Sequence, residues 1–352
     1  MKLKGPTPMP LHSYDSAVLS AYLKQHIIGF TELANMERFS NGQSNPTYKI
    51  SDTSGASYVL RTKPPGELLK SAHAVDREFR VMKALEKTAV PVPKTLHLSC
   101  DNSPMGTQFL VMDYLPGTVF WDPALPGCSK SFRTQTYKIL VKTLAALHQV
   151  NPHAVGLQDF GHPGNYFSRQ VSRWSRQYHT SKTQGRPDMD WTIDWLLQNL
   201  VVDDGQISIV HGDYRLDNTM FDPHSPKLIA VLDWELSTLG HPFADLAYQC
   251  MGLRLPQDSL IKGLGTIKRK ALGIPNEAEY VAQYCDLRNI APPENWEFYI
   301  AFSFFRLAAI LEGVLQRALS GNASNPKGLG AMNSSINTLA KAAKTTAQQA
   351  TK

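Results

Sequence analysis

The stretch Ile209-Val-His-Gly-Asp-Tyr-Arg-Leu-Asp-Asn218 sets His211, Asp213 and Asn218 in the pattern H-x-D-x-x-x-x-N, and fifteen residues later the apolar run Leu228-Ile-Ala-Val-Leu ends in Asp233. These residue types suit phosphoryl transfer, in which a protein mainly positions groups and stabilises charge. A carboxylate such as Asp213 orients an attacking hydroxyl or takes its proton. Asn218 and Asp233 offer the hard oxygen ligands that Mg²⁺ prefers. Arg215, two residues past Asp213, is placed to reach a γ-phosphate and spread the transition-state charge. His211 reads as a residue that fixes the loop backbone rather than one that moves protons. Each part has a plain alternative: an Asx-turn for Asp213, a capping residue for Asn218. The order of all the parts along the chain carries the chemical reading.

Elements of suitable type surround these residues. Residues 1–28 read as a loose leader and a helix over Asp15–Ile28, with Val18, Leu19, Tyr22 and Leu23 on one face. A turn-rich stretch, Phe39 to Ile50, precedes a strand at Tyr58–Arg61, which Lys63-Pro-Pro-Gly66 ends. The helix predicted over Ala72–Lys87 has Val75, Phe79, Met82 and Leu85 on one arc, and Glu78 falls inside it. A carboxylate there needs a partner, for which Arg61 is the candidate, or it sits at the edge of the face and reaches solvent. Phe109–Gly117 is a strand running into a Pro-Gly turn, and Thr134–His148 is an amphipathic helix. Segment 207–233 reads as a hairpin of two short strands within a mostly helical region. From residue 318 onward Gly, Ser, Asn, Ala and Lys dominate, a composition for a weak helix or a disordered tail.

The whole chain, 352 residues with 42% hydrophobic and 19% charged, suits one or two soluble domains. A net charge of +6 favours no partner in particular, and no dense basic stripe points to nucleic acid. Cys100, Cys128, Cys250 and Cys285 are scattered without metal spacing, so free thiols in a reducing cytoplasm are expected. The N-terminus lacks the apolar stretch of a signal peptide. The most apolar segment, Phe298 to Leu315, carries Ser303, Arg306 and Glu312, which points to a buried helix rather than a membrane span.

With these parts in order, the chain resembles the aminoglycoside-phosphotransferase and choline-kinase-like family of the protein-kinase-like fold, over roughly residues 30–320. More closely it is similar to the phosphotransferase domains associated with acyl-CoA dehydrogenases. The carrying segments include Tyr58-Val-Leu-Arg-Thr-Lys-Pro-Pro-Gly66, Ser71 to Arg80, Val111-Met-Asp-Tyr-Leu-Pro-Gly117, Arg169 to Tyr178 and Val231-Leu-Asp-Trp-Glu to Leu246. The resemblance implies an α+β, two-lobed fold: a small β-rich N-lobe at 29–117 with a hinge at 113–117, a larger helical C-lobe at 118–320 with its catalytic loop at 209–218, and a polar tail at 321–352. It implies ATP and Mg²⁺ as cofactors. By position, Asp213 is the catalytic carboxylate, and Asn218 with Asp233 holds the metal. Arg61 stands where the family has the phosphate-contacting Lys, with Glu78 as its ion-pair partner. The backbone of Asp113, Tyr114 and Leu115 serves adenine. Ser40, Asn41 and Gly42 belong to the phosphate-covering loop, and Asp245 and His211 support the catalytic loop.

The sequence departs from the family in places. Arg61 replaces Lys, although Arg keeps its charge and forks onto phosphate. The phosphate loop has one glycine, Gly42. Glu235 follows Asp233 by two, as a residue near the metal or a plain surface acid. Only twelve positions separate Asp233 from Asp245, which leaves no room for a protein-kinase activation loop and favours a small-molecule acceptor. Segments 151–200 and 250–320 together hold thirteen Lys and Arg against eleven Asp and Glu, no acid excess for a polycationic aminoglycoside. The resemblance implies a hydroxyacyl-CoA of the 4-hydroxy type, or a related hydroxy acid, as acceptor. Arg254 and Lys268-Arg-Lys270 are candidates for CoA phosphates or a solvated basic surface. Trp174 and Tyr178 wall the acceptor pocket or pack the core. Two other functions stay open: a kinase of an aminoglycoside, amino alcohol or sugar, and a nucleotide-binding pseudokinase that acts as an interaction module.

Overall fold

The structure, a computed structural model, describes residues 14–39, 45–64, 74–100, 103–259, 261–319 and 329–350. The chain divides into two compact units. The first comprises residues up to Glu86, Val92–Pro116 and Asp233–Glu235, and the second comprises Lys87–Pro91, Gly117–Leu232 and the residues from Leu236 onward.

The first unit opens with helix α1 (Ser16–His26), capped by Asp15, whose carboxylate accepts from the Ala17 and Val18 amides at 2.8 and 3.2 Å. Strands β1 (Leu33–Arg38), β2 (Thr47–Asp52) and β3 (Ser57–Thr62) follow, then α2 (Val75–Leu85), β4 (Thr95–Leu98) and β5 (Phe109–Asp113). The antiparallel sheet runs β1-β2-β3-β5-β4. Period-two alternation sorts its side chains. Leu60, Phe109 and Val111 turn to one face and bury with Leu19 and Leu23 of α1 and with Ile27 just after it. Arg61, opposite Leu110 in the register, therefore turns to the other face. Glu86 ties the end of α2 to β4 by accepting from the Thr95 amide and hydroxyl at 2.7 and 2.6 Å.

The second unit contains β6 (Thr118–Val119), α3 (Lys130–Gln149), α4 (Tyr166–Ser181), α5 (Pro187–Gln198), β7 (Ser208–Val210), β8 (Thr219–Phe221), β9 (Leu228–Val231) and β10 (Thr238–Gly240). It continues with α6 (Phe243–Arg254), α7 (Arg269–Leu272), α8 (Glu277–Arg288), α9 (Trp296–Arg317) and α10 (Leu329–Ala350). The hairpin expected within 207–233 is β8 with β9, but β7 lies outside it and pairs with β10. The left-handed backbone of Gly212, φ 85°, turns the chain out of β7 before β8 begins. Helix α9 is long and apolar enough to cross a membrane, yet it is mostly buried and packs against α4, α6 and α10.

The C-terminal segment is no solvated tail over 329–350. Ile336, Leu339, Ala340, Ala343 and Ala347 recur at helical spacing and form the buried face of α10. Arg186 fixes the contact: its Nε donates to Glu312 at 2.6 Å, and its Nη1 and Nη2 donate to Asn337 and Asn333 at 2.5 and 2.7 Å.

Candidate active site

The catalytic-type loop leaves β7 at His211 and is held from below by one carboxylate. Asp245, in the first turn of α6 and fully buried, accepts from the His211 amide at 2.6 Å and from the Gly212 amide at 2.8 Å. His148 adds a third contact, Nε2 to Asp245 Oδ2 at 3.2 Å, while its Nδ1 meets the Tyr284 hydroxyl at 2.6 Å. Burial holds His148 below its usual range, so near neutral pH it is an uncharged donor to Asp245. Burial pushes the Asp245 carboxyl up, but its contacts with His148, His211 and the Gly212 amide outweigh that and hold it below the usual range. Gly212 admits no other residue: a Cβ would lie 2.5 Å from the Leu236 carbonyl oxygen.

His211 itself is fully buried. Its Nε2 faces the Leu232 carbonyl at 2.8 Å, and its Nδ1 accepts from the Asp213 amide at 3.1 Å. Both ring nitrogens are thus occupied in shaping the loop, as expected for a structural histidine. Asn218 Nδ2 donates to the Asp213 carbonyl at 2.9 Å and to its carboxylate at 2.7 Å. With its nitrogen so engaged, its amide oxygen is the atom that suits a metal. Arg215 lies against two carboxylates, Nε 3.4 Å from Asp213 and Nη2 2.8 Å from Asp217. Asp213 is half-buried and held on both sides, a carboxylate ready to orient a hydroxyl.

The first unit holds a charge cluster of its own. Arg61 Nε lies 3.0 Å from Glu78, and its Nη2 lies 2.6 Å from Asp233 and 4.0 Å from Glu235. Glu78 is 2% exposed, so the partner that its place on α2 demanded is Arg61, with Asn45 Nδ2 donating a further bond at 3.0 Å. Burial pushes the Glu78 carboxyl up to about 7, with Asp233 and Glu235 adding to the push and Arg61 opposing it. Burial would lower the Arg61 guanidinium, but the three carboxylates hold it above its ordinary value. Glu78, Asp233 and Glu235 bring oxygen atoms within 4.8 Å of one another, a hard donor set that fits Mg²⁺. Asp233 also adopts φ 64°, a left-handed backbone unusual for a residue with a side chain.

In the segment expected to serve as the hinge, the Asp113 amide donates to the Lys94 carbonyl at 2.9 Å, which leaves the Tyr114 and Leu115 amides of the three expected to face adenine. Ser40, Asn41 and Gly42 lie outside the described residues.

The sequence pattern of the phosphotransferase enzyme family matches residues 35–280. The chain belongs to this family. It is 46% identical over 310 residues to acyl-CoA dehydrogenase family member 10 of Mus musculus, a match covering 87% of this chain and 29% of that protein. The phosphotransferase thus spans under a third of that relative's length. A Ralstonia eutropha JMP134 protein, provisionally assigned as an aminoglycoside phosphotransferase, is 42% identical with a TM-score of 0.84, covering 96% of this chain and 99% of the other. The aminoglycoside phosphotransferase APH(4)-Ia, solved with AMP-PNP and hygromycin B, shares the fold at 13% identity and a TM-score of 0.59, over 92% of this chain and 98% of the other. The chain is therefore a member of the phosphotransferase enzyme family with the protein-kinase-like fold.

Several of its site residues were not visible in the sequence. Asn45 belongs to a turn-rich stretch whose partner lies thirty-three positions away. His148 closes the apolar stripe of α3, and a histidine in such a stripe was the only signal that it meets a buried acid. Arg254, expected to meet CoA phosphates or to lie on a solvated surface, is half-buried and paired with acids. It is clamped by Glu277 and Glu297, each at 2.5 Å. Lys268 and Lys270 are exposed.

Proposed function

We propose that the phosphotransferase moves the γ-phosphoryl of ATP to the hydroxyl of a hydroxyacyl-CoA of the 4-hydroxy type, or of a related hydroxy acid. The observation that carries the chemistry is the fixed Asp213 carboxylate, held by Asn218 at 2.7 Å and seated on a loop that Asp245 anchors. Asp213 orients the acceptor oxygen and takes its proton as the bond to phosphorus forms. ATP with Mg²⁺ supplies the activated phosphoryl group, and Asn218 and Asp233 are the residues whose oxygens suit that metal. Arg61, oriented by Glu78, holds nucleotide phosphate, and Arg215 offsets charge on the transferring group. Tyr114 and Leu115 serve adenine. AMP-PNP in a fold neighbour supports the nucleotide, and a relative that is a family member of acyl-CoA dehydrogenases supports an acyl-CoA acceptor. The free thiols of the four cysteines support a reducing, cytoplasmic setting.

A second reading, transfer to an aminoglycoside or another small alcohol, draws on the assignment of the 42% identical Ralstonia protein. The pseudokinase reading loses support because Asp213, Asn218 and Asp233 are all present. The test is ATP turnover with product mass across 4-hydroxyacyl-CoAs, free hydroxy acids, choline and aminoglycosides. A phosphorylated hydroxyacyl-CoA that disappears in Asp213→Asn is the expected result. Robust turnover by Asp213→Asn refutes the role of Asp213. Transfer only to amine-bearing alcohols refutes the acceptor.

A further inference from the structure

Arg306, on the buried helix α9, is 4% exposed and makes no ion pair or hydrogen bond among the described residues; its Nε is enclosed without an acceptor. Its guanidinium lies between two rings, 5.4 Å from the Trp174 centroid and 5.3 Å from that of Tyr248. Aromatic faces satisfy the flat sides of a guanidinium but cannot accept its in-plane N–H groups. Those donors point along the plane and match the geometry of a carboxyl-level oxygen. A second cation, Arg173 on the exposed side of α4, has its Cζ 5.3 Å from the Trp174 ring. Burial first, and then the charge of Arg306, pulls Arg173 below its ordinary value. Two like charges gathered at one indole, with no acid paired to either among the described residues, make a place that an anion would relieve.

The place adjoins the catalytic carboxylate. Tyr248, buried on α6, carries Arg306 on its ring face, while its hydroxyl interacts with Asp213. One phenol therefore touches both the group that orients the acceptor hydroxyl and the unpaired guanidinium. We propose that Arg306, with Arg173 at the rim, is a specificity-determining subsite that receives the acyl oxygen of the acceptor, as carboxylate or thioester carbonyl, while the acceptor hydroxyl sits at Asp213. This rests on the reading that the acceptor is a hydroxy acid or its thioester. It explains selection by this site of an alcohol that carries an acyl group a short chain away, and rejection of a polycation by charge.

The experiment compares wild type, Arg306→Gln, Arg306→Lys and Arg173→Gln on three acceptors: a short 4-hydroxyacyl-CoA, the free 4-hydroxy acid and the diol in which CH₂OH replaces the carboxyl. Circular dichroism and the KM for ATP report on folding and on the nucleotide side. Arg306→Gln is expected to raise KM for the acid or thioester at least tenfold with kcat within a few-fold, to leave the diol unchanged, and so to bring the acceptors together. Arg306→Lys recovers part of the loss, and Arg173→Gln gives a smaller effect in the same direction. An unchanged KM for the acyl acceptors, or an equal rise for the diol, overturns the proposal. Should Arg306→Gln fail to fold, Arg173→Gln and Arg306→Lys decide by the same comparison. Calorimetric titration with butanoyl-CoA and butanoate, which lack the hydroxyl, separates the two readings. Binding that weakens in Arg306→Lys, in a protein that transfers to no hydroxyacyl acceptor, keeps the subsite and discards the proposed reaction. Absence of binding to wild type overturns the subsite.

Discussion

Replacing Asp245 by asparagine keeps the shape of the side chain and removes the charge that holds the catalytic loop. The carboxylate accepts two backbone N–H bonds, from His211 at 2.6 Å and Gly212 at 2.8 Å, and faces His148 at 3.2 Å, with no exposed surface. An asparagine has one accepting oxygen, so one of these amides is left facing an NH₂ group. The loss comprises the charge-assisted part of two bonds and one orphaned buried donor, together about 3–5 kcal/mol. The same group gives the wild type an acid limit. Its carboxyl is held below the usual range, so its contribution is full above the unfolded pKa of about 3.9 and is lost as pH falls through the folded value. The carboxamide of the Asp245→Asn variant does not titrate, which removes that acid-side slope. Urea unfolding at neutral pH and at acid pH measures both effects, and hydrogen exchange at the Gly212 and Asp213 amides reports the loop directly. Turnover should fall at least a hundredfold with the KM for ATP changed less, because Arg61 and Glu78 keep their own pairing. Unfolding within about 1 kcal/mol of wild type, together with turnover within a few-fold, would refute the claim that Asp245 positions the loop.

Other outcomes follow from the same geometry. Burial keeps the Glu78 proton on to a higher pH in the folded state than in the unfolded chain, so stability should fall as pH rises from about 4.5 toward about 7. Urea titrations across that range should show the slope, and Glu78→Gln should flatten it. Gly212→Ala forces a Cβ against the Leu236 carbonyl at 2.5 Å in a left-handed backbone, so it should cost about 2 kcal/mol or more and abolish turnover, read by thermal scan and assay. Arg186→Ala leaves the Glu312 carboxylate, 0% exposed, with the Thr183 amide and hydroxyl alone among the described residues. It should destabilise the second unit by about 3–5 kcal/mol and raise hydrogen exchange in α10.

The parts of the site legible in the sequence are those whose spacing is local. H-x-D-x-x-x-x-N lies within one loop, so Asp213, Asn218 and the supporting His211 could be named from order alone, and the structure brings Asn218 onto Asp213. Glu78 was legible in part: its place in an apolar arc left either Arg61 as partner or a position reaching solvent, and the structure decides for Arg61. Asn45 and His148 escaped because their partners are distant in sequence and no periodicity links them. The tail was legible only in part, since its composition left a weak helix or disorder open and the structure has a packed helix. Ala, Ser and Asn are weak signals of a core, yet Ala340, Ala343 and Ala347 are buried in α10, which packs against α9 and α5.

Charge shows most sharply where counting stops being informative. A near balance of basic and acidic residues in 151–200 and 250–320 could only weaken the case for a cationic acceptor. Pairing divides that balance unequally. Glu312 is taken by Arg186, Glu277 and Glu297 by Arg254, and Asp188 by Lys344. None of these acids pairs with Arg306 or Arg173, the two cations beside Trp174. Arg254 takes two acids and Lys344 lies outside both segments, so these pairs use four acids but only two cations of the segments and leave the remainder more cationic than the count. The relevant quantity is the charge left unpaired next to the reacting group, and at Tyr248 that charge is positive on one side and the Asp213 carboxylate on the other. An acceptor complementary to both presents a hydroxyl at one end and an acyl oxygen at the other.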